Sequence, residues 1–411
     1  MKGVFVILDG SADLPCQELS QKTPFEAAKT PNLDYFASHS KIYSCYTVKK
    51  GVAPQSSSAV VSLLGYNPNF APRGPLEALG AGVKQKNGDL VFRTNFATIE
   101  SLENPQVLDR RAGRSLSTKE ARILAKAINE KVKLPFKFEF IPTIGHRGVL
   151  VFRGGFSGNI TNIDPAYGFG VASLNASTKL KFSHPIDDED NSRLSSELVN
   201  NFARQTYEVL NKHPINLKKA QAGFYSANFL LCREAGAEPI EFKKIKGKWL
   251  ALAYMPLEIG IAKAAGMDIY KFRYPKLKGS DIYGNLHAGL KKAVKYSVKM
   301  LKKYHKKYDY FYVHFKETDT PGHDNKPHEK VKMIEYLDEK FFSFLRQFIK
   351  EEKLIVTCDH TTACKLKNHT ADPVPLMVYP HSSKEKRFTE IESKKGKEIL
   401  GNKVLEKFLF D

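Results

Sequence analysis

Three apolar stretches of the sequence run directly into aspartate and histidine residues. KLIVTCDH ends at Asp359 and His360, MKGVFVILD ends at Asp9, and YFYVHFKETDTPGH ends at Asp319 and His323. Apolar runs of this length are typical of buried strands, and open α/β sheets bind their ligands at the carboxyl ends of the strands. Three strand ends of this kind predict one metal site at one edge of a largely parallel sheet.

A further histidine follows the last of these strands, which brings the candidate ligands to three carboxylates and three imidazoles. The set is Asp9, Asp319, His323, Asp359, His360 and His369. Mixed oxygen and nitrogen donors suit Mn, Zn or Co better than Ca. We expect Asp319 and His323 to lie in a Pro-Gly turn rather than on a helix, so that one short loop brings both to the same ion. Two cations about 3.5 to 4 Å apart would stabilise both the attacking and the leaving oxygen of a phosphoryl displacement.

Three consecutive serines, Ser56, Ser57 and Ser58, precede the apolar run AVVSLL. This pattern predicts a helix that begins at a serine, and a helix N-terminus stabilises an anion through its free N–H groups and its dipole. One interpretation is that a serine only caps the helix. The other is that a serine bridging the two cations is acidified and acts as a nucleophile. The segment alone leaves both open.

The formal net charge of +20 suits nucleic acid, an anionic membrane surface or an acidic small substrate. The lysines lie in short scattered clusters without interleaved aromatic residues or a helix-turn-helix pattern, which is typical of solvated helix faces. No apolar run approaches the roughly 20 residues that cross a bilayer. We therefore expect a small anionic substrate, no nucleic-acid partner and no membrane partner.

The cysteines indicate a reducing compartment. There are five, an odd number, and none forms a CxxC pair, which favours free thiols in the cytoplasm over a disulfide framework. The first apolar run is interrupted by Asp9 after six residues, too soon for a signal peptide. We expect that run to be the first strand and the protein to be cytoplasmic.

The chain of 411 residues is long enough for two domains. From residue 73 the segments RGPLEALGAGV, GDLVFRTNFATIE, KFEFIPTI and HRGVLVFRGG predict strands and turns. KWLALAYM predicts a buried strand that resumes the first sheet, and the later strands, including PLMVY, alternate with helices in a βαβ pattern. We predict a metal-binding domain of residues 1–72 and 248–411, interrupted by an inserted, substrate-binding α+β domain of residues 73–247.

The motif DRRAGR places three arginines within five positions beside an aspartate. Arginine forks of this density suit bidentate capture of phosphate or carboxylate, although a surface turn is an equal interpretation. Arg147 begins a further predicted strand. The candidate substrate contacts are Asp109, Arg110, Arg111, Arg114 and Arg147.

Several runs together resemble a known family. These are LDG at Asp9, LLGYNP, RGPLEALGAG, FRTNFAT, DRRAGR, HRGVLVFRG, HPIN, KETDTPGHD and CDHTTACKLKNHTADPVP. In this order, over nearly the whole length, they resemble the archaeal-type branch of the cofactor-independent phosphoglycerate mutases, in the alkaline phosphatase superfamily.

The resemblance implies an alkaline-phosphatase-like α/β fold and the interconversion of 3-phosphoglycerate and 2-phosphoglycerate without 2,3-bisphosphoglycerate. It implies two divalent ions, Mn first, with Mg, Zn or Co as alternatives. Asp9, Ser56, Asp359 and His360 would hold one ion, and Asp319, His323 and His369 the other. By the same resemblance, Ser56 would be the nucleophile that carries the phosphate between the two hydroxyls, Lys316 would stabilise charge, and the inserted domain would close over a small phosphorylated acid.

Two segments depart from the family, and one of them reads YPKLKGSDIYGN where a glycine-threonine segment is expected near residue 276. Related sequences typically read PGSDTAH around the nucleophile, where this chain reads PQSSSAV, so Gln55, Ser57 and Val60 replace a glycine, an acidic residue and a histidine. Two alternatives therefore stay open beside the mutase. One is a different phosphoryl transfer on the same metal core, such as a phosphatase or a homoserine-kinase-like enzyme. The other is a paralogue that binds anions or a partner protein without turnover.

Overall fold

The computed structural model describes residues 1–70, 72–166, 178–270, 272–277, 281–381 and 387–410. The strands within them are β1 (Gly3–Leu8), β2 (Lys41–Tyr46), β3 (Leu90–Ile99), β4 (Val107–Asp109), β5 (Phe138–Pro142), β6 (Arg147–Phe152), β7 (Phe229–Gly236), β8 (Trp249–Leu252), β9 (Asp268–Ile269), β10 (Tyr310–Phe315), β11 (Lys353–Thr357), β12 (Thr361–Ala363), β13 (Asn368–Thr370), β14 (Val374–Tyr379) and β15 (Glu398–Leu400).

The α-helices of the described residues are α1 (Pro24–Ala27), α2 (Pro31–Ala37), α3 (Ser56–Leu63), α4 (Arg73–Ala81), α5 (Thr118–Lys131), α6 (Asp190–Asn211), α7 (Pro214–Gln221), α8 (Pro256–Ala264), α9 (Ile282–Tyr304), α10 (Asp319–His323), α11 (Pro327–Leu337), α12 (Ser343–Phe348), α13 (Glu390–Lys395) and α14 (Val404–Phe408). A π-helical turn, Asp338–Phe342, joins α11 to α12.

A large mixed sheet carries strands in the order β15-β2-β14-β11-β1-β10-β8-β9. Its centre is parallel, because β1 pairs in parallel with both β10 and β11, and β10 with β8. Every residue of β1, GVFVIL, is buried, as expected for a strand covered by helices on both faces. The predicted α/β class with a mostly parallel sheet is confirmed, and KWLALAYM does supply a strand of this sheet. The strand PLMVY is instead antiparallel to its neighbours β11 and β2.

A second sheet is antiparallel and has its own core. Its strands run in the order β4-β3-β6-β5, and β7 pairs with the other edge of β3. Residues of α5 and α6, including Leu124 and Phe202, pack with Phe152 of β6 in this core. Its strands all come from residues 90–236, between the strands of the large sheet. The domain boundaries at residues 72/73 and 247/248 stay a prediction.

The segment RGPLEALGA is a helix, α4, and not the predicted strand and turn. Its glycines serve helix packing rather than a turn. A Cβ atom on Gly80 would lie 1.7 Å from the carbonyl oxygen of Pro256, and a Cβ on Gly260 would lie 1.8 Å from that of Leu76. The backbones of α4 and α8 therefore meet where only glycine fits. Proline in the first turn of α4 is tolerated because its missing N–H has no partner there in any helix.

Two further observations bear on the sequence-based expectations. All five cysteines are buried and free, so the expectation of unpaired thiols is confirmed. Among the described residues, no helix has both the length and the apolar character needed to cross a bilayer.

Candidate active site

Two carboxylates lie at the carboxyl ends of neighbouring central strands. Asp9 follows β1 and Asp359 follows β11, and both are fully buried. The backbone N–H of Gly10 donates to Asp359 Oδ1 at 3.0 Å. Among the described residues, Asp9 Oδ1 and Asp359 Oδ2 have no hydrogen-bond partner. A buried carboxylate oxygen without a donor is costly, and a cation is the group that would satisfy both.

Each of three histidines is oriented by a contact at its Nδ1 atom, so that its Nε2 atom faces the carboxylates. The Nδ1 contacts are His360 with Thr362 Oγ1 at 2.9 Å, His369 with Pro54 O at 2.7 Å and His323 with Lys367 O at 3.0 Å. The Nε2 atoms of all three lie within 4 Å of aspartate oxygens. Metal-binding histidines are typically oriented in this way, by a hydrogen bond to the nitrogen that does not bind the ion.

Asp319 lies at the first position of α10, and its carboxylate is close to two of these imidazoles. Its Oδ2 is 3.4 Å from His323 Nε2, and its Oδ1 is 3.7 Å from His369 Nε2. The prediction that DTPGH is a turn and not a helix was wrong, since it forms the five-residue helix α10. Pro321 is accepted because it stands in the first turn. Residues four apart share one helix face, so the helix still directs both side chains to one point.

The electrostatics are those of a cation site. Burial and the neighbouring charge of Asp359 raise the pKa of Asp9. Burial alone would also raise the pKa of Asp359, but His360 and Lys316 outweigh it and hold that pKa below its ordinary value. Burial, and then the charge of His360, lowers the pKa of His369 to about 4. His369 is therefore neutral at pH 7, the form in which an imidazole binds a metal.

Ser56 begins α3 and points its hydroxyl at the same place. Its Oγ lies 3.0 Å from His360 Nε2 and 3.3 Å from Lys316 Nζ. The Lys316 ammonium also contacts Asp9, and it lies 3.1 Å from Glu258 Oε1. Burial opposes the charge on Lys316, but these two carboxylates raise its pKa above the ordinary value. The hydroxyl thus faces a permanent positive charge.

Five of the six candidate ligands, together with His314, form two groups of three side chains whose donor atoms lie within 4.8 Å of one another. The groups are Asp9, His314 and Asp359, and Asp319, His360 and His369. All six residues predicted as ligands meet at one edge of the large sheet, and Ser56 joins them. The donor set of carboxylates and imidazoles, with the two unpartnered oxygens, fits divalent transition metals. Which residue binds which ion stays a prediction.

A cleft opens from Ser56 and is lined by arginines. Nine of the predicted site residues line it: Ser56, Arg110, Arg111, Arg114, Arg147, Lys316, Asp319, His323 and His369. Asp9, Asp359 and His360 lie deeper, and Asp109 is not on its wall. The walls come from the small antiparallel sheet and its loops on one side and from the large sheet on the other, so a ligand in the cleft would contact both.

The DRRAGR motif is ordered by carboxylates. Asp109 Oδ1 accepts the backbone N–H of Arg111 at 2.7 Å and of Gly113 at 2.8 Å, so it holds the loop. Arg110 donates to Asp164 at 2.6 Å. Arg114 donates to Asp324, just after α10, at 2.5 Å, and so joins the two sides of the cleft. The carboxylates fix the arginines of this half-exposed loop, while their contact with a substrate stays a prediction.

Comparison with known proteins identifies the family of the chain. A family model for 2,3-bisphosphoglycerate-independent phosphoglycerate mutase matches residues 37–216. Proteins of that name from Pyrococcus furiosus and Aeropyrum pernix are 38% and 37% identical, with 92% of this chain covered in both and 88% and 90% of theirs. The chain belongs to the 2,3-bisphosphoglycerate-independent phosphoglycerate mutase family. The recognised resemblance is therefore confirmed.

Solved structures support membership of the mutase family. A protein from Pyrococcus horikoshii superposes with a TM-score of 0.74 and 30% identity, over 99% of this chain and 96% of that one. The cofactor-independent phosphoglycerate mutase from Thermoplasma acidophilum gives a TM-score of 0.55 and 26% identity, over 99% and 98%. Both alignments span 99% of this chain and so include the residues of both sheets.

Sequence reasoning missed several residues of this mutase site. The Nε2 atom of His314 lies 2.9 Å from Asp9 Oδ2, although His314 is a residue of the apolar strand β10. An imidazole within YFYVHF was the available signal, because a buried strand otherwise excludes polar side chains. Arg73, Arg93, Arg233 and His146 also line the cleft. The motifs of Arg73, Arg93 and His146 were recognised and Arg233 lies outside them, and nothing in the sequence indicated that the four residues face the same cavity.

Proposed function

We propose that this protein interconverts 3-phosphoglycerate and 2-phosphoglycerate by way of a phosphorylated Ser56. The observation that carries the proposal is the position of the Ser56 hydroxyl. The hydroxyl contacts His360 Nε2 and Lys316 Nζ beside the candidate metal ligands, and Ser56 lines an arginine-rich cleft. The candidate nucleophile thus lies in one cavity with cationic side chains that suit a phosphate and a carboxylate, which supports an intramolecular phosphate transfer on glycerate.

Divalent metal ions are the cofactor class that fits the donor set. We propose two, with Asp9, Asp359, His360 and Ser56 at one and Asp319, His323 and His369 at the other, and His314 positioning Asp9. Mn is the first candidate, with Mg, Zn or Co as alternatives. When bound, such ions would acidify the serine hydroxyl and neutralise charge on the phosphoryl oxygens. No 2,3-bisphosphoglycerate is required, because Ser56 itself carries the phosphate.

The side chains around Ser56 support two successive displacements. In the first, Ser56 Oγ loses its proton and bonds to phosphorus while the bond from phosphorus to the C3 oxygen breaks, and that oxygen takes up a proton. In the second, the C2 hydroxyl loses its proton and bonds to the phosphorus of phosphoserine while the bond from phosphorus to Ser56 Oγ breaks, and Ser56 Oγ takes up a proton. Lys316 remains charged, because Asp9 and Glu258 raise its pKa, and it stabilises the negative oxygens at both stages.

The cleft must retain glycerate between the two displacements. The freed glycerate must turn so that its other hydroxyl faces phosphoserine, without leaving and without admitting water. We propose that Arg110, Arg111 and Arg114, on a loop that Asp109 orders, bind the carboxylate and the entering phosphate together with Arg147, the first residue of β6. Arginine suits this because its fork binds carboxylate in a bidentate manner. The substrate class is accordingly a small phosphorylated acid.

The test follows both phosphate esters and free phosphate by phosphorus NMR, starting from 3-phosphoglycerate and the Mn-loaded protein. We expect 2-phosphoglycerate to form without release of inorganic phosphate. Ser56→Ala should abolish turnover while metal binding, measured by calorimetry, is kept. The matched control is Ser58→Ala on the same helix, which removes only a hydrogen bond to the carbonyl of Gln55.

Each other outcome identifies an alternative. Release of inorganic phosphate in place of 2-phosphoglycerate would make the protein a phosphatase. Activity in Ser56→Ala that is lost in Ser58→Ala would move the nucleophile by two residues. Full activity in excess chelator would overturn the metal-dependent mechanism.

A further inference from the structure

Gln55 is a buried amide without a hydrogen-bond partner. Its exposed fraction is 3%, and neither its side-chain oxygen nor its side-chain nitrogen bonds to any described residue. A buried polar group left unpaired destabilises the folded protein by an amount comparable to a lost hydrogen bond. Gln55 has two such atoms in one side chain, which points to a ligand that satisfies them.

The backbone of Gln55 is held in place by its neighbours. Its carbonyl accepts the N–H of Ala59 at 2.9 Å and the hydroxyl of Ser58 at 3.0 Å. The carbonyl of Pro54, the preceding residue, lies 2.7 Å from His369 Nδ1. Gln55 therefore sits between a helix and a candidate metal ligand, at the N-cap position of α3 but without capping it by its side chain.

The side chain of Gln55 lines the same cleft as the neighbouring Ser56. The ligand expected there is an anion, because Lys316 and the first turn of α3 both place positive charge beside Ser56. An amide N–H that donates to a charged oxygen makes a stronger hydrogen bond than one that donates to a neutral oxygen. A phosphoryl oxygen near Ser56 would therefore use the unpaired donor of Gln55.

We propose that Gln55 is a substrate-binding residue of the mutase, whose amide N–H donates to an oxygen of the phosphoryl group at Ser56. Its amide oxygen is then free to accept from the hydroxyl of glycerate that is to be phosphorylated. This deepens the proposed function, on which it rests, by adding a neutral donor to the charged groups of the phosphate site. It also gives the glutamine of PQSSSAV a role in this chain.

The experiment combines stability with ligand binding in the Mn-loaded protein. Gln55→Met keeps the volume but removes both polar atoms. We expect the melting temperature without ligand to rise, because two unpaired buried atoms are gone. We expect the dissociation constant of inorganic phosphate and the KM for 3-phosphoglycerate to increase roughly ten- to a hundredfold, the loss of one hydrogen bond to a charged group. Gln205→Ala is the control, since among the described residues the side chain of that glutamine bonds Lys133 and Asn201, away from the cleft.

A lower melting temperature with unchanged phosphate affinity would show a structural role and overturn the inference. Unchanged values of both would overturn it as well. The measurement with inorganic phosphate needs no turnover, so it separates this proposal from the mutase assignment. If wild type binds phosphate more tightly than Gln55→Met but forms no 2-phosphoglycerate, the reaction is wrong and the phosphate contact of Gln55 stands.

Discussion

Glu390, outside the cleft, gives a stability prediction whose size follows from the structure. It is buried, and its carboxylate accepts from Thr23 Oγ1 at 2.6 Å and from the N–H of Asp13 at 2.9 Å. Burial raises the pKa of Glu390 from its ordinary 4.5 to about 7. Because the folded chain holds this proton more tightly than the unfolded chain, the stability of the fold decreases as pH rises from 4.5 to 7. Above pH 7, ionisation of the buried Glu390 lowers the free energy of unfolding by about 3 kcal/mol relative to low pH.

Glu390→Gln should remove this cost. A glutamine keeps an acceptor for the N–H of Asp13 and turns its N–H groups toward the hydroxyl of Thr23, while nothing is left to ionise. We expect the variant to be more stable than wild type at pH 8.5 by about 3 kcal/mol and at pH 5 by under about 1 kcal/mol. Urea unfolding at the two pH values measures the difference, and other titrating groups cancel because they are present in both proteins.

Glu392→Gln, on the same helix, is the matched control, since it removes a surface charge that is paired with Lys395. The difference between the two variants isolates the buried carboxyl. If the gain from Glu390→Gln were the same at both pH values, or were larger at pH 5, the argument that burial holds this group protonated would be refuted.

Two further predictions concern packing and the cleft. Gly260→Ala should lower the free energy of unfolding by several kcal/mol, because its Cβ would lie 1.8 Å from the carbonyl oxygen of Leu76 and overpacking of this kind costs about 1 to 3 kcal/mol or more. The control is Gly155→Ala, whose Cβ would meet no described atom within 4 Å. Equal melting temperatures of the two variants would contradict the close contact between the helices. Asp324→Asn should weaken the ion pair with Arg114 across the cleft and raise KM for 3-phosphoglycerate several-fold with little change in kcat; an unchanged KM would show that this pair does not position the substrate.

The ends of the central strands could be predicted because their sequence signal is local. A buried strand must be apolar, so a run that stops at Asp9 or Asp359 marks both the strand and its ligand. The helix α10 could not be separated from a turn in the same way, since a five-residue helix contains too few residues to show helical periodicity. The predicted ligands nevertheless met, because Asp319 and His323 are close neighbours in either conformation.

The remaining differences come from contacts between distant parts of the chain. Gly80 resembles a turn residue until Pro256 of another helix is known to pack against it. His314 looks like a polar interruption of a strand until Asp9 is seen on the neighbouring strand, 305 positions away. Gln55 is a residue of ordinary type, and only the absence of a partner among the described residues distinguishes it. Such features depend on tertiary neighbours, which one sequence does not display.

The wide spacing of the metal ligands along the chain affects how the protein is made. The candidate groups come from positions 9 to 369, so a nascent polypeptide does not have both candidate cation sites until residue 369 has left the ribosome and the large sheet has formed. An ion that binds only the finished fold stabilises it by about 2.7 kcal/mol at a hundred times its dissociation constant. Metal supply during growth would then govern how much newly synthesised protein escapes proteolysis, as well as how fast it turns over substrate.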